Sequence, residues 1–226
     1  MGSPLIWALV GLGAGLLVLL QVSHVRKVKR ERGSLFDGVT HLFADAEVRQ
    51  DGINYPTLTG GYRGYPIKLE AMVDSLAFRK LPVLWLVVTH RRPLDVDAPL
   101  DVLLGPTGTE FFSPNGDYHH DVVPDPAWPE HVRVASPDPG KAPPVSALRP
   151  SAWFIGDPFT KEVLITGRGI RVVRRLAESD QALYRVTRRA DLGPVDLTPE
   201  RLAPVLTALE EMGDALTEKT GNRERG

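Results

Sequence analysis

The sequence of 226 residues contains no cysteine. Disulfide bonds, thiolate metal sites, cysteine nucleophiles and a lipid-modified cysteine are therefore excluded together. The absence agrees with a reducing compartment. Six histidines and the carboxylates are the side chains left for metal binding or for acid–base chemistry near neutral pH.

Common catalytic motifs are also missing. The sequence has no G-x-S-x-G elbow, P-loop, H-E-x-x-H helix or kinase signature set. Gly11, Gly13 and Gly15 form a G-x-G-x-G string, but a dinucleotide fingerprint requires a preceding strand and a βαβ unit, and these glycines lie inside an apolar run. No cofactor is predicted.

Charged residues are absent from residues 1–23, and residues 5–20 carry no polar side chain. A helix of about 19 residues spans about 28 Å, close to the thickness of the hydrocarbon core of a bilayer. The run therefore predicts a transmembrane anchor within residues 1–23 that meets the lipid bilayer through residues 4–23. Its defining residues are Leu5, Trp7, Gly11, Gly15 and Leu20. A cleaved signal peptide is the alternative, but no basic residue precedes the run and no small-x-small pattern follows it.

A basic juxtamembrane segment follows over residues 24–33. Its Lys and Arg residues are Arg26, Lys27, Lys29, Arg30 and Arg32. Because such residues are retained on the cytoplasmic side, we expect a single-pass protein of the cell membrane with its N-terminus outside and its C-terminal domain in the cytoplasm.

A G-x-x-x-G pair within the anchor, Gly11 and Gly15, indicates a second use of this helix. Small residues at this spacing let two transmembrane helices approach closely, so a homodimer through these glycines is one hypothesis. The alternative is that both glycines simply face lipid.

The remaining chain predicts one α+β domain over residues 34–219 and a polar tail over residues 220–226. Alternating or apolar runs predict hairpins and strands. The predicted strands cover residues 55–61, 67–73, 81–89, 100–104, 131–135, 162–166, 170–176 and 183–189. The run over residues 81–89 is apolar throughout, which indicates a central strand covered on both faces.

Three helices are predicted beside this mostly antiparallel sheet. A short amphipathic helix over residues 34–46 joins anchor to domain, and another is expected near residues 145–155. The third begins at Pro199 after a Thr198 cap and carries apolar residues at three- and four-residue intervals. We expect this C-terminal amphipathic helix to pack across one face of the sheet.

A proline-rich insertion is predicted at residues 93–150, which hold twelve of the 20 prolines. Proline removes a ladder donor, so only short strands are expected there. The acidic and basic residues are also separated: residues 93–132 contain eight acidic residues and no Lys or Arg, whereas residues 161–189 contain eight basic against three acidic residues. The two blocks are expected either to face and neutralise each other or to form functional surfaces.

Two constellations suggest chemistry. Asp117, His119 and Asp121 fall on one face of an extended backbone and predict a divalent metal site, with His131 or His90 as a further ligand; a solvent-exposed turn is the alternative. The second constellation is a basic patch with potential for a protein partner or anionic lipid. It comprises Arg168, Arg171, Arg174, Arg175, Arg185 and Arg188. Nucleic acid is disfavoured there because aromatic residues for base stacking are scarce.

The leading functional hypothesis from the sequence is a membrane-tethered cytoplasmic domain that acts as a non-catalytic interaction or scaffold module. The competing hypothesis is a metal-dependent enzyme that uses Asp117, His119 and Asp121. The sequence favours the first because an anchor raises the local concentration of a domain near membrane components, while no catalytic motif supports the second.

Overall fold

The computed structural model describes residues 4–74, 81–181, 184 and 192–223. The chain begins with helix α1 (Pro4–Gly33), a continuous helix of 30 residues that includes both the apolar and the basic segment. The apolar side chains over residues 7–22 are exposed; Trp7 and Leu12, for example, are 71% and 73% exposed. Within the described residues, α1 forms the single helix that is long and apolar enough to cross a membrane.

The predicted helix over residues 34–46 is wrong. Two 3₁₀ turns, Ser34–Phe36 and Thr40–Leu42, lead directly into a strand. The Ser34 hydroxyl donates to the Glu31 carbonyl oxygen at the end of α1, so it does not cap a new helix. A Cβ at Gly38 would lie 3.1 Å from the Leu197 carbonyl oxygen, so the backbone here packs directly against a distant part of the chain.

In the part of the chain that the structure describes, nine antiparallel strands form one sheet in the order β1-β2-β3-β4-β9-β8-β5-β7-β6. Their bounds are β1 Ala44–Arg49, β2 Thr57–Tyr62, β3 Tyr65–Asp74, β4 Val83–His90, β5 Leu100–Leu104, β6 His120–Val122, β7 Val132–Ser136, β8 Thr160–Thr166 and β9 Gly169–Glu178. Both predicted hairpins are confirmed as β2–β3 and β8–β9. The predicted central strand is β4, but β9 occupies the middle of the sheet. The strand predicted over residues 183–189 lies outside the described residues.

The remaining helices lie near the sequence-predicted positions. A 3₁₀ helix (Val145–Ser151) leads into the short helix α2 (Ala152–Ile155), and helix α3 spans Pro199–Arg223, past the predicted start of the polar tail. Thr198 caps α3, since its hydroxyl accepts from the Arg201 N–H at 3.4 Å. The fold is therefore α+β, as the sequence predicts: a large antiparallel sheet with the C-terminal helix packed on it.

The first face of the sheet, here called the core face, carries the hydrophobic core. Leu84 and Val88 of β4 are fully buried together with Leu202, Leu209 and Met212 of α3. At roughly 25 cal/mol per Å² of buried apolar surface, each such side chain contributes about 1.5–3 kcal/mol. The apolar face of α3 that the sequence predicts is therefore the face that is buried.

The opposite face, here called the loop face, has polar residues between apolar ones. Leu103 pairs with Glu162, and Asp101 pairs with Leu164, which in turn pairs with Arg171. Since side chains directly opposite one another share a face, these five residues lie together. The strand predicted to be covered on both faces, β4, is buried on the core face; on the loop face a loop covers it, which buries Val87 and leaves Trp85 half-buried.

A covering segment, residues 105–119, lies over the loop face. The Phe112 carbonyl oxygen accepts a hydrogen bond from Arg171 Nη2 at 2.9 Å, and the Ser113 hydroxyl contacts Asp101 Oδ2 at 3.4 Å. The Phe112 ring lies 5.9 Å from that of Trp85. The proline-rich region thus supplies both this cover and the three short strands β5, β6 and β7 of the same sheet.

Gly169 gives a test of the β8–β9 hairpin. Its φ is +135°, and a Cβ at this position would overlap the His90 carbonyl oxygen on β4. We expect Gly169→Ala to lower the free energy of unfolding by more than about 2 kcal/mol, because neither backbone can move without breaking strand pairing. Denaturant titration of the full chain in mild detergent measures this. The control Gly116→Ala, with open space around its Cβ, should change stability by less than about 0.5 kcal/mol; equal losses would contradict the register.

Candidate functional site

The junction between α1 and the domain is held by several contacts. Gln50 Nε2 donates to the Lys29 carbonyl oxygen at 2.9 Å, and Arg32 Nη1 donates to the Ile53 carbonyl oxygen at 2.9 Å. The Arg32 guanidinium also lies 5.1 Å from the centre of the Tyr55 ring. Leu35, which follows α1 almost at once, is fully buried. The last turns of α1 are therefore fixed to the connection between β1 and β2.

These contacts define one end of the sheet, here called the α1 end. The connection over residues 50–56 lies where β2 begins. Because the strands are antiparallel, β3, β5 and β9 end there, and β4 and β8 begin there. The hairpin turns at Arg63 and Arg168 lie at the opposite end. Each candidate residue on the sheet can therefore be placed nearer the α1 end or nearer the end that carries the hairpin turns.

The predicted metal ligands do not form one cluster. Asp117 ends a 3₁₀ turn, His119 is exposed beyond it, and Asp121 lies in β6, where Arg133 Nε donates to its Oδ1 at 2.9 Å. The change from a 3₁₀ turn to a strand breaks the single extended backbone that the prediction required. His90 lies on the core face. Across the described ranges, no group of three or more His, Asp or Glu is arranged to hold a metal ion.

The predicted basic patch is divided between two faces. Arg171 lies on the loop face and donates to Glu162 Oε2 at 2.8 Å, whereas Arg174 lies on the core face and donates to Asp157 Oδ2 at 2.9 Å. Arg175 donates to Glu178 at 3.2 Å, and Arg168 is exposed at the β8–β9 turn. Arg185 and Arg188 lie outside the described residues. The four described arginines are therefore divided between the two faces and the β8–β9 turn, and the six-arginine patch stays a prediction.

A buried pair of carboxyl groups lies beneath the covering segment, and sequence reasoning did not single it out. Asp101 and Glu162 are both fully buried. Burial raises the pKa of Asp101 to about 8, and the nearby Glu162 carboxylate acts in the same direction. Burial also raises the pKa of Glu162, against the opposing effect of Arg171. With one guanidinium for two carboxyl groups, the pair retains a proton near neutral pH.

Several polar atoms of this cluster have no hydrogen-bond partner among the described residues. They are Asp101 Oδ1, Glu162 Oε1 and Arg171 Nε. Asn115 lies above the pair and contacts the Asp101 carbonyl oxygen through Nδ2 at 3.4 Å. A proton shared by the two carboxyl groups would provide a hydrogen bond for some of these unpaired oxygens. The sequence signal for the site is an acidic residue inside each of two apolar strands, L-D-V-L-L and K-E-V-L-I.

A second buried ion pair joins the acidic and basic blocks. Lys161 Nζ lies 2.8 Å from Glu110 Oε1, with the two side chains only 12% and 8% exposed. Lys161 also donates to the carbonyl oxygens of Leu104 and Gly105 at 2.9 and 2.8 Å. Burial alone would raise the pKa of Glu110, but hydrogen bonds from Lys161 and Thr107 lower it to about 2. This contact supports the expectation that the two blocks face each other.

Comparison with known proteins gives little further guidance. No protein-family model matches the sequence, and no curated protein matches it. A solved structure with a similar course of the chain is that of the mycobacterial trehalose monomycolate transport factor A, TtfA. The TM-score is 0.43 at 13% sequence identity, over 84% of this chain and 95% of that chain. A likeness at this level carries no argument about function.

The Asp101–Glu162 pair predicts a pH dependence of stability. Because the pKa of Asp101 is about 8 in the folded state against an ordinary value of 3.8, the folded state binds more protons between these values. Stability should therefore fall as pH rises from 3.8 to about 8 and level off above that. We expect Asp101→Asn, which stays neutral, to lose less stability than the unmodified chain between about pH 6 and about pH 9.

Denaturant titration of the full chain in mild detergent at the two pH values measures this difference. Asp117→Asn is the matched control, because Asp117 is an exposed carboxylate on the covering segment. The control should follow the unmodified chain at both pH values. If Asp101→Asn does so as well, the buried pair does not titrate in this range.

Proposed function

We propose that this chain is a single-pass membrane protein whose cytoplasmic domain is a non-catalytic interaction module held close to the bilayer. The observation that carries the proposal is the continuity of α1. One helix runs from the exposed apolar segment through the basic segment and into hydrogen bonds with the domain. A flexible linker between anchor and domain is therefore absent from residues 24–33 as described.

The basic segment supports the cytoplasmic placement. Arg26, Lys27, Lys29, Arg30 and Arg32 all follow the apolar run, and no charged side chain precedes it. At 1.5 Å per residue, the ten residues from 24 to 33 place the junction about 15 Å beyond the hydrocarbon core. The basic side chains then lie at the depth of lipid headgroups and just beyond them, where anionic lipids attract them.

The surface at the α1 end supports docking. α1 touches the domain through its last turns, and its described side chains before them are exposed. In the proposed arrangement, the bilayer lies beyond the α1 end of the sheet. Large apolar side chains remain exposed at this end, among them Ile53 and Phe159, which are 44% and 48% exposed. Exposed apolar groups beside a membrane favour contact with lipid or with another membrane-associated protein.

The anchor offers a further contact. A Cβ placed at Gly11 or Gly15 would meet no atom within 4 Å, so this side of α1 is open to a second helix. Homodimerisation through these glycines fits the proposal, because it would bring two domains together at the membrane surface.

The absence of native cysteine makes the proposal testable with single-cysteine variants. Val123→Cys adds a thiol to the domain at a position that is 85% exposed, and Ser3→Cys adds one before the anchor. With a membrane-impermeant maleimide on intact cells, we expect labelling of the Ser3→Cys variant alone. The Val123→Cys variant should be labelled only after permeabilisation, and its labelling in intact cells would contradict the cytoplasmic placement.

A photoreactive group on single cysteines tests docking itself. Ile53→Cys lies at the α1 end, and Arg63→Cys lies at the exposed turn at the other end of the neighbouring hairpin. In native membranes, we expect covalent adducts with lipid or protein to form mainly in the Ile53→Cys variant. Equal yields in the two variants would contradict docking through the α1 end.

A further inference from the structure

The covering segment is held at both ends by a cation of the sheet. At the first end, Lys161 Nζ lies 2.8 Å from Glu110 Oε1. At the other end, Arg133 Nη1 donates to Asn115 Oδ1 at 2.9 Å. Residues 111–114 between these two points, here called the flap, belong to no helix or strand. The flap can therefore move while both ends of the covering segment stay fixed.

The flap is held down by the buried acidic pair and its arginine. The Phe112 carbonyl oxygen accepts from Arg171 Nη2 at 2.9 Å, and the Ser113 hydroxyl contacts Asp101 Oδ2 at 3.4 Å. Arg171 Nη2 also donates to Glu162 Oε2 at 2.8 Å. The contacts that close the flap therefore run through the same three side chains that share the buried charge.

The charge of this cluster depends on one proton. With the proton present, Asp101 and Glu162 together carry one negative charge, which the guanidinium of Arg171 balances. Without the proton, two carboxylates share one guanidinium in a place that excludes water, and both the repulsion and the lost hydration are costly. Water that enters beneath a raised flap would hydrate the second carboxylate. Loss of the proton therefore favours the open flap.

The surrounding charged groups leave this balance unchanged. Those on the loop face and at the ends of the covering segment are paired with each other: Lys161 with Glu110, Arg133 with Asp121, and Lys68 with Glu70. Asp117 on the covering segment is exposed to solvent. Tyr118 lies nearby, and burial raises the pKa of its hydroxyl above the ordinary value, so it stays neutral. In the described part of the chain, Arg171 is thus the cation that pairs with the two acids.

The flap covers a pair of valines on the loop face. Phe112 contacts Trp85, with ring centres 5.9 Å apart, as well as Arg171. In the β4–β9 pairing, Trp85 and Arg171 lie on either side of Val87 and Val173, which are both buried. Phe112 therefore lies above these valines, and raising the flap would expose them to solvent.

We propose that the flap is a proton-controlled cover: the proton shared by Asp101 and Glu162 holds it closed, and loss of this proton to water opens it. The pair binds the proton more tightly when it is covered than when water reaches it. The open fraction therefore rises with pH between the two pKa values and is constant above the higher one. For Asp101 these values are 3.8 and about 8. The cover regulates access to the loop face, and it does so whichever side of the membrane the domain occupies.

Thiol accessibility tests the proposal, because the chain has no native cysteine. Val173→Cys places a thiol beneath the flap, beside Glu162 in the β8–β9 pairing. Val172→Cys is the matched control, since this neighbouring valine is also fully buried but belongs to the hydrophobic core of the other face. Val123→Cys, at a position that is 85% exposed, gives the reactivity of a free thiol at each pH. Each full chain in mild detergent reacts with a thiol-specific disulfide reagent.

The rate for Val173→Cys, divided by the rate for Val123→Cys, should rise about tenfold per pH unit from about pH 6 to about pH 8 and then level off. At about pH 8, Val173→Cys should react more than about tenfold faster than Val172→Cys, because a local opening is more frequent than unfolding of the domain. With Asp101→Asn added, the relative rate should not change with pH. Thermal unfolding of each variant shows whether the fold is kept.

Equal rates for Val173→Cys and Val172→Cys would overturn the flap, because both thiols would then be exposed by unfolding of the domain. A relative rate that stays constant from about pH 6 to about pH 8 would overturn the control by a proton. So would the same rise in the presence of Asp101→Asn. A rise that continues above about pH 9 would indicate titration of Tyr118 and overturn the role of the acidic pair, and this outcome decides even if Asp101→Asn does not fold.

Discussion

The hydrogen bonds between the last turns of α1 and the β1–β2 connection determine how the rest of the molecule is presented. Gln50 and Arg32 bridge these two parts, and the chain enters the hydrophobic core at Leu35. An exposed hydrogen bond contributes only about 1 kcal/mol, but several together with immediate burial restrict the angle at the junction. One end of the sheet is therefore held toward the membrane in our account, and the two hairpin turns point away from it.

The unequal covering of the sheet explains where its polar groups lie. The core face is closed by α3, whose apolar stripe packs against the hydrophobic core. The loop face is closed by residues 105–119, whose backbone and polar side chains need partners. Asp101, Glu162 and Arg171 provide them, at the cost of burying two carboxyl groups beside one guanidinium. Proline suits this segment because an irregular cover has few regular backbone hydrogen bonds to lose.

The sequence predicts those parts of the fold in which local pattern and tertiary environment agree. The turn sequences at Arg63–Gly64 and Gly167–Arg168 are typical of tight hairpin turns, and both hairpins form. The apolar positions of α3 are the ones that are buried. The helix predicted over residues 34–46 failed because Ser34 bonds back to the end of α1 instead of capping a new helix, and because residues 44–46 belong to β1, which pairs with β2. Strand order is set by pairings distant in sequence, such as β4 with β9, and periodicity holds no information about them.

The candidate sites were harder to predict for a related reason. Spacing placed Asp117, His119 and Asp121 on one face, but it does not reveal a 3₁₀ turn between them and β6. The basic patch was predicted from the number of arginines in this part of the sequence. In a strand, however, the side chains of successive residues point to opposite faces, so the arginines of β9 are divided between both faces. The buried Asp101–Glu162 pair depends on which strands become neighbours, so only the folded chain reveals it.

The central claim, that the α1 end of the sheet faces the bilayer, is tested most directly by a distance measurement. A fluorescent donor is attached to Ile53→Cys or to Arg168→Cys in the full chain, reconstituted into nanodiscs with an acceptor on the lipid headgroups. A strand of six residues spans about 20 Å, so we expect clearly higher energy transfer from position 53 than from position 168. Equal transfer, or higher transfer from position 168, would contradict it.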